Sequence, residues 1–244
     1  MKIPKVHGLI KRRLLVNYRA DPAVVQKLLP PPFKPKLQGQ YAMVGICLIR
    51  LEQIRMAGIP GLFGISSENA AHRMAIEWVD ENGKPREGVY IPRRDTSSWL
   101  NRLIGGRLFP GVHHGADFSI VDTGAHIDFN MRSHDHAANI QILGKESDAF
   151  PGGSCFRSLQ ESSAFFQRGS LGYSASHDPR RLDALELHTT GWTVSALDVE
   201  NVTSSYFENR QIFPSGSIEY DHTLLMRNLK HEWHQGECMC IHPK

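Results

Sequence analysis

A chain of 244 residues, 41% hydrophobic and 22% charged, is long enough for one large domain or two small ones and can bury a core of good size. A formal net charge of +3 with dispersed cations does not point to nucleic acid, and the longest apolar runs, such as Ala42 to Ile49, are strand-sized and far short of a membrane span. Cys47, Cys155, Cys238 and Cys240 make no disulfide framework at this size, and the start, Met-Lys-Ile-Pro-Lys-Val-His, has no apolar signal core, so a cytoplasmic setting is expected.

No internal repeat, low-complexity tract or linker divides the chain, so residues 1–244 read as a single domain, with a tail from about residue 231 at its periphery. Arg13 to Tyr18 predicts a strand. Asp21-Pro22 supplies an N-cap and a proline at the first helical position, Val24, Val25, Leu28 and Leu29 one apolar helix face, and Pro30 the stop. Tyr41 to Leu51 predicts a strand, and the glycine-rich stretch Met56 to Ser67 a loop long enough to shape a pocket. His72 to Val79 alternates, with Met74, Ile76 and Trp78 on one face and Arg73, Ala75 and Glu77 on the other. Asn82-Gly83 turns the chain back. Strands follow at Ala116 to Asp122, Ala125 to Met131, Asn139 to Leu143, Leu182 to Leu187, Trp192 to Val199 and Ser217 to Met226, with a helix at Leu159 to Arg168. Many short strands and few helices make an α+β protein, mainly antiparallel β, in a barrel or curved sheet.

The return strand carries the most informative segment, Arg86 to His114. The apolar run Val89 to Ile91 predicts a strand that Pro92 ends, because proline has no N–H for a ladder. Arg93 and Arg94 follow at once. Asp95 then caps a helix with Trp99, Leu103 and Ile104 at helical spacing and Gly105 as its close. Two adjacent cations are a solvated loop pair or a device for holding an anion. Glu68, at the head of the preceding strand, falls near the same end of the sheet as Arg93.

The register Arg86-Glu87-x-x-x-x-Pro92-Arg93-Arg94 resembles acetoacetate decarboxylase, where the proline precedes two lysines. In that family the first lysine forms a Schiff base with the keto substrate and the second lowers its pKa. The stretch from Leu14 to Pro30-Pro31-Pro32 is similar to that family's opening strand, helix and turn. Gly169 to Tyr173 and the region from Ser204 to Arg227 look like the uncharacterised bacterial branch of the superfamily. The resemblance implies a cone-shaped β-barrel with a few flanking helices, no cofactor, and a homo-oligomer. The departure is chemical. A guanidinium stays protonated and forms no imine with a ketone, so the family's decarboxylation does not carry over to Arg93 and Arg94.

The resemblance implies a pocket glutamate near Glu68, a glutamate of the Arg-Glu pair at Glu87, and a pocket cation near Lys11. Glu68 is either a base held ionised beside guanidinium or a salt bridge. Glu87 is a binding or structural carboxylate, and Tyr90, in the motif strand, a binding candidate. Lys11 is a displaced imine lysine or a surface residue. His113 and His114 point to opposite faces of a strand, so at most one enters a pocket; an imidazole there shuttles protons or is a satisfied core group. His134-Asp-His136 and the tail His231, His234, Cys238, Cys240 and His242 match no standard zinc pattern, and no metal is expected. No nucleophile elbow, phosphate loop or dinucleotide fingerprint is present, and Cys155 has no base partner in view.

These residues lead to an acetoacetate decarboxylase-like enzyme of lyase or hydratase type acting on a small oxo-acid or related anion. Arg93, Arg94, Glu68 and His114 would be catalytic and Lys11, Glu87, His113 and Tyr90 substrate-binding, with a small anionic metabolite as partner and neither nucleic acid nor membrane. The alternative is a non-catalytic binding module for an anionic metabolite. A weaker third option is a metal-dependent enzyme using the histidines.

Overall fold

The computed structural model of the protein describes residues 6–56, 64–99, 111–176, 178 and 180–241. Strand β1 (Val6–Ala20) is followed by helix α1 (Pro22–Leu28), whose N-cap Asp21 accepts a hydrogen bond from the Ala23 N–H at 2.7 Å. Two short strands, β2 (Lys34–Pro35) and β3 (Leu37–Gln38), lead into the long β4 (Tyr41–Met56), β5 (Ile65–Val79) and β6 (Pro85–Thr96). Then come β7 (His113–Asp122), β8 (His126–Ser133), β9 (Asn139–Ser147), α2 (Leu159–Gln167), β10 (Leu171–Ala175) and β11 (Arg181–Thr190). The chain finishes with β12 (Ser195–Ser204), α3 (Ser205–Glu208), β13 (Ile218–Gln235) and β14 (Met239–Cys240).

All fourteen strands join one sheet, and the sheet closes twice. The path β6-β7-β8-β9-β12-β13-β1-β4-β5 returns to β6 as a ring of nine strands. The path β6-β10-β11-β13-β1-β4-β5 returns to β6 as a second ring of seven. Strands β13, β1, β4, β5 and β6 are a wall common to both. Pairing is antiparallel except for β6 with β7 and β6 with β10. This is a mainly antiparallel α+β barrel.

A wall between two interiors must be apolar on both faces, which explains unbroken runs such as Leu14-Leu15-Val16. Leu14, Val16, Val44, Ile46, Leu48, Met74 and Ile76 pack with Ile127, Phe129, Met131, Ile140 and Ile142 from the nine-stranded ring. Leu15, Met43, Cys47, Ile49 and Ala75 form the second cluster, with Phe156, Phe165 and Phe166 from α2 and its approach.

The sheet forks at β6. Val89–Ile91 pair with Gly172–Ser174 of β10, and Arg94–Thr96 pair with His113–Gly115 of β7. Pro92, which has no N–H to offer, falls in the gap between. On its other edge β6 meets β5 with a slipped register: Tyr90 faces Met74, but Arg93 faces His72. Ile91 and Pro92 together therefore oppose Arg73, which is a β-bulge. The strand does not end at Pro92, as the missing N–H predicts; it absorbs the proline and runs on to Thr96. Asp95 is thus a fully buried strand residue rather than a helix cap. Leu103, Ile104 and Gly105, expected to continue and close that helix, lie outside the described residues, as do residues 57–63 of the expected pocket loop.

The tail expected at the periphery from about residue 231 begins inside β13 and ends in β14, the terminal strand of the sheet path. β13 runs unbroken to Gln235, pairs with β1 and β11, and buries His231. No described helix is long and apolar enough to cross a membrane.

Candidate functional site

The seven-stranded ring encloses a cavity of ≈ 610 Å3. Its wall bears five cations, Arg13, Lys36, Arg55, Arg73 and Arg94, and among the described residues one carboxylate, Asp95. The bulge decides which motif arginine enters. Val89 and Ile91 face the cavity, and with one residue inserted after them Arg94 continues that row in place of Arg93.

Arg94 donates from Nε and from a terminal nitrogen to Ser174 Oγ, at 3.2 and 3.0 Å. Gly111 presses on it from the other side. Its φ of +85° suits glycine, and a Cβ there would come within 2.8 Å of Ser174 Cβ and 3.2 Å of Arg94 Nε. Arg73 comes from β5 between Ala71 and Ala75, hydrogen-bonds Asn17 Oδ1, and stacks over Phe166 with 4.6 Å to the ring centroid. Its Nε has no partner among the described residues. Arg13 enters from β1, donates from Nε to Cys47 Sγ at 3.2 Å, and has one terminal nitrogen buried without a partner among the described residues. Among the described residues no carboxylate lies within ion-pairing distance of Arg13, Arg73 or Arg94. Burial pushes the Arg73 and Arg94 guanidinium groups down to about 10, the nearby Cys47 countering, so both stay charged at neutral pH. Arg94 lines the cavity.

His113 is the other sequence candidate on this wall. Its Nδ1 lies 3.1 Å from the Gly111 carbonyl, which fixes Nδ1–H as the donor and leaves Nε2 as the acceptor. Burial first, and Arg94 second, push it down to about 4, so it is neutral at pH 7. Lys36 also faces in. Its ammonium is paired with Glu87, donates to the Phe165 carbonyl at 3.3 Å, and is lowered chiefly by burial.

The other candidates face elsewhere. Arg93 is locked between Asp95 and Asp135, at 2.7 and 2.8 Å, with its side chain 11% exposed. Glu68 is buried, but its partner is Arg12 at 2.9 Å, on a network with Asp122 and Arg227. Burial raises its carboxyl in spite of Arg12. Tyr90 packs toward Phe33 in the nine-stranded ring's core, and burial raises its hydroxyl. His114 meets Asp135 at 3.1 Å near the surface. Glu87 bridges Lys36 and Arg168. Lys11 is exposed and donates to Asn228. Of the eight named residues, Arg94 and His113 line the cavity. Arg13, Arg73, Lys36 and Cys47 were not legible as site residues. The one available signal was Arg73 flanked by the small Ala71 and Ala75, since an arginine on an open face does not need small neighbours.

His134 pairs with Asp117, and His234 with Glu232. Among the described residues no group of three or more His, Cys, Asp or Glu is placed to hold a metal.

The family model DUF2071, described as an uncharacterized conserved protein, matches residues 10–221. The chain belongs to this family. No curated protein matches it. Among solved structures, this DUF2071 chain is similar to acetoacetate decarboxylase from Legionella pneumophila, with a TM-score of 0.64 at 10% identity over 97% of this chain and 88% of that one. An acetoacetate decarboxylase-like enzyme from Sphingomonas wittichii RW1 superposes with a TM-score of 0.61 at 14% identity over 100% and 95%. The enduracididine biosynthesis enzyme MppR complexed with pyruvate gives 0.61 at 11% identity over 98% and 91%. The fold is acetoacetate decarboxylase-like.

Proposed function

We propose that this DUF2071 protein is a cofactor-independent enzyme of lyase or hydratase type acting on a small oxo-acid or related carboxylate, without an imine at the position where the decarboxylase resemblance puts its lysine. One observation carries the reading: three guanidinium groups, Arg13, Arg73 and Arg94, share a cavity wall with no carboxylate answering them among the described residues. Burying cations without counter-ions is costly, and a bound anion removes the cost. The same groups stabilise negative charge that moves from a carboxylate onto an adjacent enolate oxygen. Neutral His113, with Nε2 free to accept, is the group to move the proton. Lys36 is held by Glu87 and Phe165, which supports chemistry without an amine nucleophile. In fold, MppR complexed with pyruvate is a relative whose ligand is of this class.

Proton exchange tests this directly. Oxo-acids incubated with the protein in D2O should lose their C3 proton signals in NMR spectra faster than without it, and Arg94→Gln should abolish the gain. Binding of the same acids with no exchange would favour the second reading, a non-catalytic module. That reading is supported by Asp95, the one described carboxylate on the wall, being clasped by Arg93 and so unavailable as a base.

A further inference from the structure

We propose that the anion this cavity takes is an amphipathic carboxylate, with its head on Arg13, Arg73 and Arg94 and an apolar tail of medium length laid along β4 toward Trp233. The proposal rests on the cationic reading of the site and adds what the rest of the cavity is for. A three-carbon oxo-acid leaves most of ≈ 610 Å3 unfilled, a volume within the ~300–1,000 Å3 of pockets that enclose drug-sized ligands.

Arg73, Arg94 and Arg13 lie in turn along the first part of this space, with Arg73 opposite Gly45. Registers set the order along the cavity axis. Cys47 lies opposite Ala71, itself paired to Arg94, and Ile49 lies opposite Arg13. Beyond Arg13 the wall changes character. Leu51, then Ile54 and Ile65, which face each other across β4 and β5, continue one side, and Leu187 and Trp233, paired between β11 and β13, close the other. From Cys47 to Ile54 the strand covers about 23 Å at ~3.3 Å per residue. Two groups able to carry positive charge also stand at that end: His188 meets Glu186 at 3.2 Å, and Arg55 donates to the Gln53 carbonyl. Apolar side chains facing an open cavity are stabilised when a ligand's hydrocarbon displaces water from them. A site with three guanidinium groups between the levels of Gly45 and Ile49 and a mainly apolar wall beyond them fits a fatty or aryl-alkyl carboxylate better than a compact oxo-acid.

Isothermal titration calorimetry on the full chain decides this with straight-chain carboxylates from propanoate to decanoate, pyruvate, and octylamine as the charge-reversed control. The dissociation constant is expected to tighten roughly three- to fourfold per methylene, as ~0.8 kcal/mol per buried CH2 gives, up to octanoate, with octylamine not binding. Arg94→Gln should weaken every carboxylate by a similar factor, while Ile54→Ala should flatten the chain-length series alone. If propanoate and pyruvate bind and longer chains bind no better, the tail proposal is overturned while the cationic reading stands. If no carboxylate binds, both fall.

Discussion

Arg13 points its Nε at the Cys47 sulfur across 3.2 Å, inside a cavity that Arg73 and Arg94 also line and whose one described carboxylate, Asp95, is held by Arg93. A thiol so placed sits where small anions gather. On ordinary thiols neutral iodoacetamide reacts faster than iodoacetate. At Cys47 the order should invert, with iodoacetate ahead by roughly tenfold through electrostatic focusing, and Arg94→Gln should narrow the gap. The exposed Cys240 serves as an internal control. Peptide mapping that finds iodoacetamide still faster at Cys47 removes the claim that the three guanidinium groups act as an uncompensated cluster.

Much of the nine-stranded ring is legible in the sequence because one of its faces follows simple rules. Met74, Ile76 and Trp78 alternate as a strand with one buried face should, and all three are core. Asp21-Pro22 starts α1 where capping chemistry puts it. The seven-stranded ring is not legible, for three physical reasons. Its wall strands are covered on both sides, so a lone Arg13 or Arg73 in them reads as an outward residue when it points into a second interior. Its strand β10 is five residues long and begins Leu171-Gly172, with too little pattern to register. And the bulge at Ile91–Pro92 exchanges the roles of the two motif arginines, which only the pairing with β5 reveals.

Ser162, His222 and Asp221 line up like a hydrolase's catalytic row, with Ser162 Oγ 2.7 Å from His222 Nε2 and His222 Nδ1 2.5 Å from Asp221 Oδ1. Their setting argues against that use. Ser162 and His222 have no exposed surface, and Asn17 shares His222 Nε2 while also holding Arg73. The row supports the Arg73 side of the cavity. A fluorophosphonate should therefore leave Ser162 unlabelled, whereas His222→Phe should weaken carboxylate binding several-fold by releasing Asn17. Stoichiometric labelling of Ser162 would make the row a nucleophile and reverse this assignment.

Acid should destabilise the protein well above the usual carboxylate range. Burial, with Arg93, Arg94 and Arg13 as the lesser causes, pushes His72 down to about 3 and His113 and His231 down to about 4. Each is depressed, so below the unfolded value of ~6.5 the unfolded chain binds the extra protons. Their contribution is whole above pH 6.5 and is lost as pH falls toward 4, at roughly 1.4 kcal/mol per pH unit for each group. Glu68 and Asp95, raised by burial, act in the opposite sense and offset part of the loss as they protonate. Urea midpoints should drop steeply between pH 6.5 and 4.5. A flat profile across that window would mean these imidazoles are solvated.

The two neighbours of the motif should respond oppositely to the same substitution. Arg93 is the partner that lets Asp95 sit with no exposed side-chain surface. Arg93→Met leaves that carboxylate buried and unpaired, which costs about 3–5 kcal/mol and lowers the melting temperature by about 10 °C in a chain of this size. Among the described residues Arg94 has a serine and no carboxylate as partner. Arg94→Met removes a buried cation that burial disfavours, so its melting temperature should equal or exceed that of the unaltered protein, while carboxylate binding is lost. Differential scanning calorimetry of the two variants, paired with titration of pyruvate, reads both effects. Equal destabilisation by the two substitutions would show that Arg94 is a structural group like its neighbour, and the cavity would lose its claim to be the site.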